Sequence, residues 1–257
     1  MEYIIICIVA LIGSGLTLFS GFGLGTLLVP VFAIFFPIEI AISLTAIVHF
    51  LNNLFKLTLL GKHADKSVIF RFGIPAIISA FIGAYILTLL TGMHPLFQYS
   101  ISGKTFEVMP VKLTIAVLLT VFALFDVIPR LANLQFSPKY LPLGGLLSGF
   151  FGGLSGNQGA LRTAFLIRAN LSKEAFIATG VVIACMIDIS RLTVYTKQII
   201  EIGDQFNYTL IIAATLSAFL GAYIGNKVLK KITIKTLQYI VAGMLFIFAI
   251  LLGAGII

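Results

Sequence analysis

The sequence predicts an all-α, multi-pass membrane protein built from two inverted repeats. Three observations carry that prediction: the composition, two glycine-dense breaks inside apolar stretches, and a self-similarity at a spacing near 135 residues. Of the 257 residues, 60% are apolar and 10% are charged. A soluble domain carries roughly 25% charged residues. The mean hydropathy is +1.12. These values exclude a water-soluble globule, a disordered chain and a fibrous repeat, and they leave no segment for a soluble domain of ordinary size. Eight apolar stretches follow one another: 3–36, 37–60, 69–90, 109–126, 141–168, 174–196, 205–228 and 236–255. About 20 apolar residues cross a hydrocarbon core of about 30 Å.

The first stretch contains LTLFSGFGLGTLLVPVF, with Gly21, Gly23 and Gly25 in its middle and Pro30 after them. The fifth contains LLSGFFGGLSGNQGALRTAF, with Gly152, Gly153, Gly156 and Gly159. Glycine clusters of this density break a helix. Broken backbone at membrane depth is tolerated where it is buried in protein or lines a watery cavity. At 28 residues, 141–168 is too short for two spans and reads as two half-helices meeting at a glycine-rich tip. Stretch 3–36 reads as a similar hairpin or as two very short spans. The other six read as single full spans. At the start of the chain Glu2 stands where a signal peptide has a basic region, and no Ala-x-Ala site follows, so the segment reads as retained. Cys7 and Cys185 form no CxxC, so no metal site, redox pair or cofactor is predicted.

The halves resemble each other. Ser20-Gly21 matches Ser155-Gly156 at an offset of 135, and at that offset Glu39 matches Glu174 and Lys56 matches Arg191. Ser79–Ile86 (SAFIGAYI) matches Ser217–Ile224 (SAFLGAYI) at an offset of 138. The first repeat is read as 1–126 and the second as 127–257. Charge decides the orientation. If 3–36 and 141–168 each return to their starting side, one side collects Lys62, Lys66, Arg71, Arg130, Lys139, Arg168, Lys173, Lys227, Lys230, Lys231 and Lys235. The other collects Lys104, Lys112 and Lys197. Eleven against three selects this topology, with the eleven on the cytoplasmic side. If all eight stretches crossed, the counts would be eight and six, with no useful bias. Three full spans between the hairpins invert the second repeat, the pattern of secondary transporters. The basic residues therefore read as orienting charges, and nucleic acid is rejected as a partner.

The candidate site residues follow from depth. Ser20, Gly21, Gly23 and Gly25 at the first tip, and Ser155, Gly156, Asn157 and Gln158 at the second, would offer free N–H groups and helix N-termini to an anion. The competing reading of the glycines is close helix packing. Arg162 lies about one turn past the second tip, where a cation is costly and faces a cavity or a partner. Its repeat counterpart is Leu27. In 37–60, His49, Asn52, Asn53 and Lys56 share one face. His49, Asn52 and Asn53 are taken as pathway candidates. Lys56, four residues from the inner end, reads as a snorkelling side chain. In 174–196, Asp188 and Arg191 lie three apart, either as a local ion pair or as a group titrating during transport. The coupling candidates are His49, Asp188 and Arg191. Asp126 and Arg130 read as an interfacial pair. Catalytic motifs such as HExxH, GxSxG or a Walker loop are absent, so no catalytic residue is named.

At these residues a family resemblance becomes specific. GFGLGTLLVPVFAIFFP, then LTAIVHFLNNLFKLTLLGKHAD and RFGIPA, with GGLLSGFFGGLSGNQGALRTAFL in the second half, resemble the sulfite exporter TauE/SafE family of membrane transporters. The resemblance runs from about Gly13 to the last span. It implies ion-coupled movement of small sulfur-containing anions such as sulfite, sulfoacetate or other sulfonates. The sequence departs from the usual second motif at NQG and Arg162, where family members often carry aliphatic residues. The expected partners are a small anion, a coupling proton or sodium ion and the bilayer of the cytoplasmic (inner) membrane. A homo-oligomer is compatible with this reading. The expected mechanism is alternating access, and the rival is an anion channel with the tips as its filter.

Overall fold

The computed structural model describes residues 1–20, 23–203, 207–228 and 234–257, without the side chains of 18–20, 126, 197–198, 201–202, 226, 228 and 234–238. Among the described residues the apolar stretches are mostly helical. The first stretch forms α1 (Glu2–Ser20) and α2 (Leu24–Ala33), separated at the glycine cluster. α3 (Ile38–Leu60) follows, extended by a 3₁₀ turn at Gly61–His63. A short α4 (Lys66–Val68) runs through a π turn at Ile69–Gly73 into α5 (Ile74–Thr91). α6 (Pro110–Val127) and the four-residue α7 (Pro129–Ala132) precede the second broken stretch, α8 (Leu141–Ser155) and α9 (Gly159–Leu166). The chain ends with α10 (Lys173–Ile202), α11 (Tyr208–Val228) and α12 (Ile234–Gly253).

The local chemistry explains where helices start and stop. Asp65 caps α4 by accepting from Val68 N at 2.8 Å, and Ser172 caps α10 by accepting from Ala175 N at 3.2 Å. Pro75, Pro110 and Pro142 occupy first-turn positions, where the missing N–H costs nothing. α8 ends at Gly156, which adopts φ +76° and closes the turn through its N–H to Gly152 O at 2.9 Å.

At 1.5 Å per residue α8 and α9 reach about 22 and 12 Å, so neither crosses a core of about 30 Å alone. Among the described residues, four segments are long and apolar enough to cross a membrane: Ile38–His63, Lys66–Thr91, Lys173–Thr196 and Tyr208–Gly225. α6 and α12 are apolar helices of 18 and 20 residues.

The helices pair closely as α5 with α8, α1 with α11, α6 with α12 and α3 with α10. Missing side chains allow two of these approaches. Gly145, Gly149 and Gly153 on α8 recur every four residues and sit against the carbonyls of Phe72, Ala76 and Ala80 on the facing helix. A Cβ at any of the three would overlap backbone oxygen, which cannot move aside. On α11, Gly221 and Gly225 meet the carbonyls of Leu11 and Gly15 on α1 in the same way. Small residues bring helix backbones together where lipid supplies no hydrophobic drive. Leu, Ile, Phe and Tyr side chains face outward along the same helices, among them Ile78, Phe81, Ile82, Tyr85, Ile212, Leu216 and Leu220. That is the arrangement of a bundle solvated by hydrocarbon.

Three features go beyond the expectations. The connection 91–108, which lies between two expected spans, contains an antiparallel hairpin of β1 (Phe97–Ile101) and β2 (Lys104–Val108). Its two-residue turn is Ser102-Gly103, with φ +52° and +79°, the positive pair that a tight hairpin needs. Helix α10 runs six residues beyond the expected end at 196. The helix expected over 69–90 carries a π turn, against which α8 packs. The cytoplasmic loop expected at 229–235 lies outside the described residues up to 233.

Candidate functional site

The two breaks meet. Gly23, the N-cap of α2, and Gly25 in its first turn both approach the carbonyl of Gly156: an added Cβ would lie 3.9 and 3.4 Å from that oxygen. Gly25 also faces Thr45, and Gly23 faces His49 Nε2, at 3.7 and 3.5 Å from the same hypothetical Cβ atoms. Gly156 is required twice over. Its φ of +76° disfavours any side chain, and a Cβ there would come within 2.7 Å of Arg191 Nη1.

Beside the tips a fully buried ionic cluster joins α3 to α10. His49 Nδ1 donates to Asp188 Oδ2 at 2.6 Å, and Asn53 Nδ2 donates to the same oxygen at 3.3 Å. Arg191 holds the other carboxylate oxygen through Nε at 3.0 Å and Nη2 at 2.9 Å. Asp188 and Arg191 have no solvent exposure, and His49 has 3%. One carboxylate therefore draws three donors from two helices. With Nδ1–H given to Asp188, the second imidazole nitrogen is the one directed toward Gly23. Arg191 Nη1 points at the second tip and has no hydrogen-bond partner among the described residues. The local pair of Asp188 with Arg191 is present, and His49 enlarges it across 139 residues of sequence.

A small cavity lies next to this cluster. Gly23, His49, Asn53, Lys56 and Arg162 line it, with Thr17, Thr163 and Gly180. The rest of its wall is apolar, and part of it, Leu166, Phe176 and Ile177, belongs to the end of α9 and the start of α10. The cavity thus extends from the tips toward the ends bearing loops 61–65 and 167–172. Arg162 donates from Nη1 to Gln158 Oε1 at 3.3 Å, one turn back on its own helix. It passes close over Gly180, where a Cβ would stand 3.3 Å from Nε.

The remaining sequence candidates are placed as follows. Ser155 Oγ donates to Phe151 O and accepts from Asn157 N, so it shapes the tip and does not line the cavity. Both amide atoms of Asn157, Gln158 Nε2 and Thr45 Oγ1 are buried without a partner among the described residues. Asn52 turns away from the cavity. The hydrogen-bond network orients its amide so that nitrogen donates to Ala218 O at 3.2 Å and oxygen accepts from Ser14 Oγ and Lys56 Nζ, at 3.0 and 3.3 Å. Ser20 ends α1, with its side chain outside the described residues; Gly21 and the side chain of Asp126 also lie outside them. Lys56 is a correction. It does not snorkel; it is 5% exposed and faces the cavity. The helical segment continues to His63, about two turns beyond Lys56. The signal for it was its place on the His49 and Asn53 face. Gly180 carried no comparable signal.

Membrane-length apolar helices around two broken hairpins, with a charged cavity at their meeting point, define a multi-pass membrane transporter. The family model for sulfite exporter TauE/SafE matches residues 5–252. The chain belongs to that family, whose members are transporters and not enzymes. No match is found among curated proteins or among solved structures.

Proposed function

We propose that this protein is a secondary transporter that carries a small oxyanion, a sulfur-containing one such as sulfite, sulfoacetate or another sulfonate, across the cytoplasmic membrane. The observation that carries this reading is the convergence of Arg162, Lys56 and the N-terminus of α2 on one cavity beside the first hairpin tip. An oxyanion leaving water needs donors for several oxygens. A guanidinium supplies two in a planar fork, and a helix N-terminus supplies backbone N–H groups.

Alternating access would come from rocking one repeat, 1–126, against the other, 127–257. The packing supports the repeat reading. The SAFIGAYI helix α5 packs on α8 through Gly83, and the SAFLGAYI helix α11 packs on α1 through Gly221. Each half lends its equivalent helix to the other's hairpin. Asn53 and Asp188, 135 residues apart and so equivalent in the repeat, touch directly. By the charge-derived orientation, the cavity opens toward the cytoplasm in this conformation. The His49–Asp188 pair sits at the tips and is the best-placed group to carry a proton, with Nε2 as the exchanging atom and Asp188 stabilising the imidazolium.

A thermal-shift panel on purified protein tests this reading. Sulfite, sulfate, sulfoacetate, nitrate and chloride are compared at equal ionic strength. A bound substrate at 100 times its Kd stabilises by about 2.7 kcal/mol. A selective shift with sulfur oxyanions is expected. Equal shifts for all ions, chloride included, would refute a specific oxyanion site.

A further inference from the structure

Charge balance around the cavity says more about the occupant than its being an anion. The charged groups facing this region come from three helices. α3 contributes Lys56 and His49, α9 contributes Arg162, and α10 contributes Asp188 and Arg191. The segments of α1 and α2 that line the cavity, Thr17, Gly23 and Leu24, add no charge. Asp188 is held by Arg191 through two guanidinium nitrogens, so these two balance each other. With His49 in its deprotonated state, that leaves Lys56 and Arg162. Among the described residues neither forms an ion pair with a carboxylate. Among the described residues Lys56 reaches the neutral amide oxygen of Asn52, at 3.3 Å, and Arg162 that of Gln158, also at 3.3 Å. An amide dipole satisfies a donor but does not cancel a charge.

Two uncompensated cations at one cavity inside a hydrocarbon-solvated bundle are costly, and their mutual repulsion adds to the cost. A monoanion would leave one of them unbalanced. We infer that the site is built for a divalent anion, with Lys56 and Arg162 each cancelling one of its charges, so that Lys56 sets the charge preference while Arg162 supplies the planar recognition. This rests on the oxyanion reading above and specifies its substrate class: a compact oxyanion carrying two negative charges, preferred over a monovalent sulfonate of the same shape.

Sulfate and methanesulfonate are both sulfur-centred oxyanions that differ by one charge. Calorimetric titration of each into purified wild-type protein at fixed ionic strength is the test. Sulfate is expected to bind at least about tenfold more tightly, the scale of about 1.4 kcal/mol. Lys56→Met should remove most of that advantage by weakening sulfate about tenfold or more, with methanesulfonate changed by less than about threefold. Lys56→Arg, which keeps the charge, should keep the preference. Equal wild-type affinities for the two ions would overturn the inference while leaving the oxyanion site standing. A sulfate preference that survives Lys56→Met would overturn the role of Lys56. Binding of neither ion would remove the oxyanion reading together with this one. The wild-type comparison decides the charge class even where Lys56→Met does not fold.

Discussion

Asp188→Asn changes one oxygen to nitrogen at the centre of the buried cluster, and the structure sets the size of its effect. The carboxylate has no solvent exposure and takes hydrogen bonds from His49, Asn53 and Arg191. The amide removes the charge that balances Arg191, which is itself fully buried. Breaking a buried pair while leaving one charge behind costs about 3–5 kcal/mol. For a chain of this size each kcal/mol moves the melting midpoint by roughly 2–4 °C, so a fall of roughly 6–20 °C is expected. Removing both charges should be milder, because no uncompensated ion remains. Asp188→Asn combined with Arg191→Met should therefore recover most of the loss, giving a large coupling in the double-mutant cycle. The assay is thermal unfolding of the four purified proteins in one detergent. A single mutant within about 1 kcal/mol of wild type, or a double mutant as unstable as the sum of the singles, would refute the claim that Asp188 neutralises Arg191 in a dry site.

Other outcomes follow from the same contacts. Arg162→Lys keeps the charge and loses the fork, so anion affinity measured by calorimetry should fall by about 1–3 kcal/mol, while Leu27→Ala, at the equivalent repeat position, should leave it almost unchanged. His49→Ala should abolish the response of proteoliposome flux to a pH gradient while anion exchange continues; an unchanged response would move coupling to another ion. Gly153→Ala places a methyl group on the Ala80 carbonyl and should lower thermal stability by about 1–3 kcal/mol, whereas Gly243→Ala, where an added Cβ has nothing within 4 Å, should be neutral or slightly stabilising. In a background with Cys7 and Cys185 replaced, an impermeant thiol reagent on intact cells should label Gln98→Cys and spare Lys139→Cys, and the reverse pattern would invert the topology.

Helix positions were legible because hydrocarbon imposes length and composition on a span. The stretch 37–60 became Ile38–Leu60, and 109–126 became Pro110–Val127. The break inside 141–168 was legible because 28 residues cannot cross twice and glycine marks the turn. The β-hairpin at 97–108 was readable in principle from Ser102-Gly103 between alternating residues, but it lay in a segment treated only as a connection. The π turn at Ile69–Gly73 has no sequence signature of its own. At the site, periodicity showed that His49, Asn53 and Lys56 share a face, but periodicity cannot say what that face meets. The contact of His49 with Asp188 depends on α3 packing against α10, which only the assembled bundle fixes. Lys56 sits deeper than the apolar stretch 37–60 suggests, because the helical segment runs on to His63.

The central claim is that Arg162 and the hairpin tips bind a sulfur oxyanion that the protein then carries across the membrane. Uptake of radiolabelled sulfite into proteoliposomes, with and without an imposed proton gradient, tests it in one experiment. The account predicts uptake that saturates with sulfite concentration, rises with the gradient and disappears in Arg162→Ala, although that variant still inserts. Flux that grows linearly with concentration and carries an ohmic current, or saturable uptake undiminished by Arg162→Ala, would contradict it.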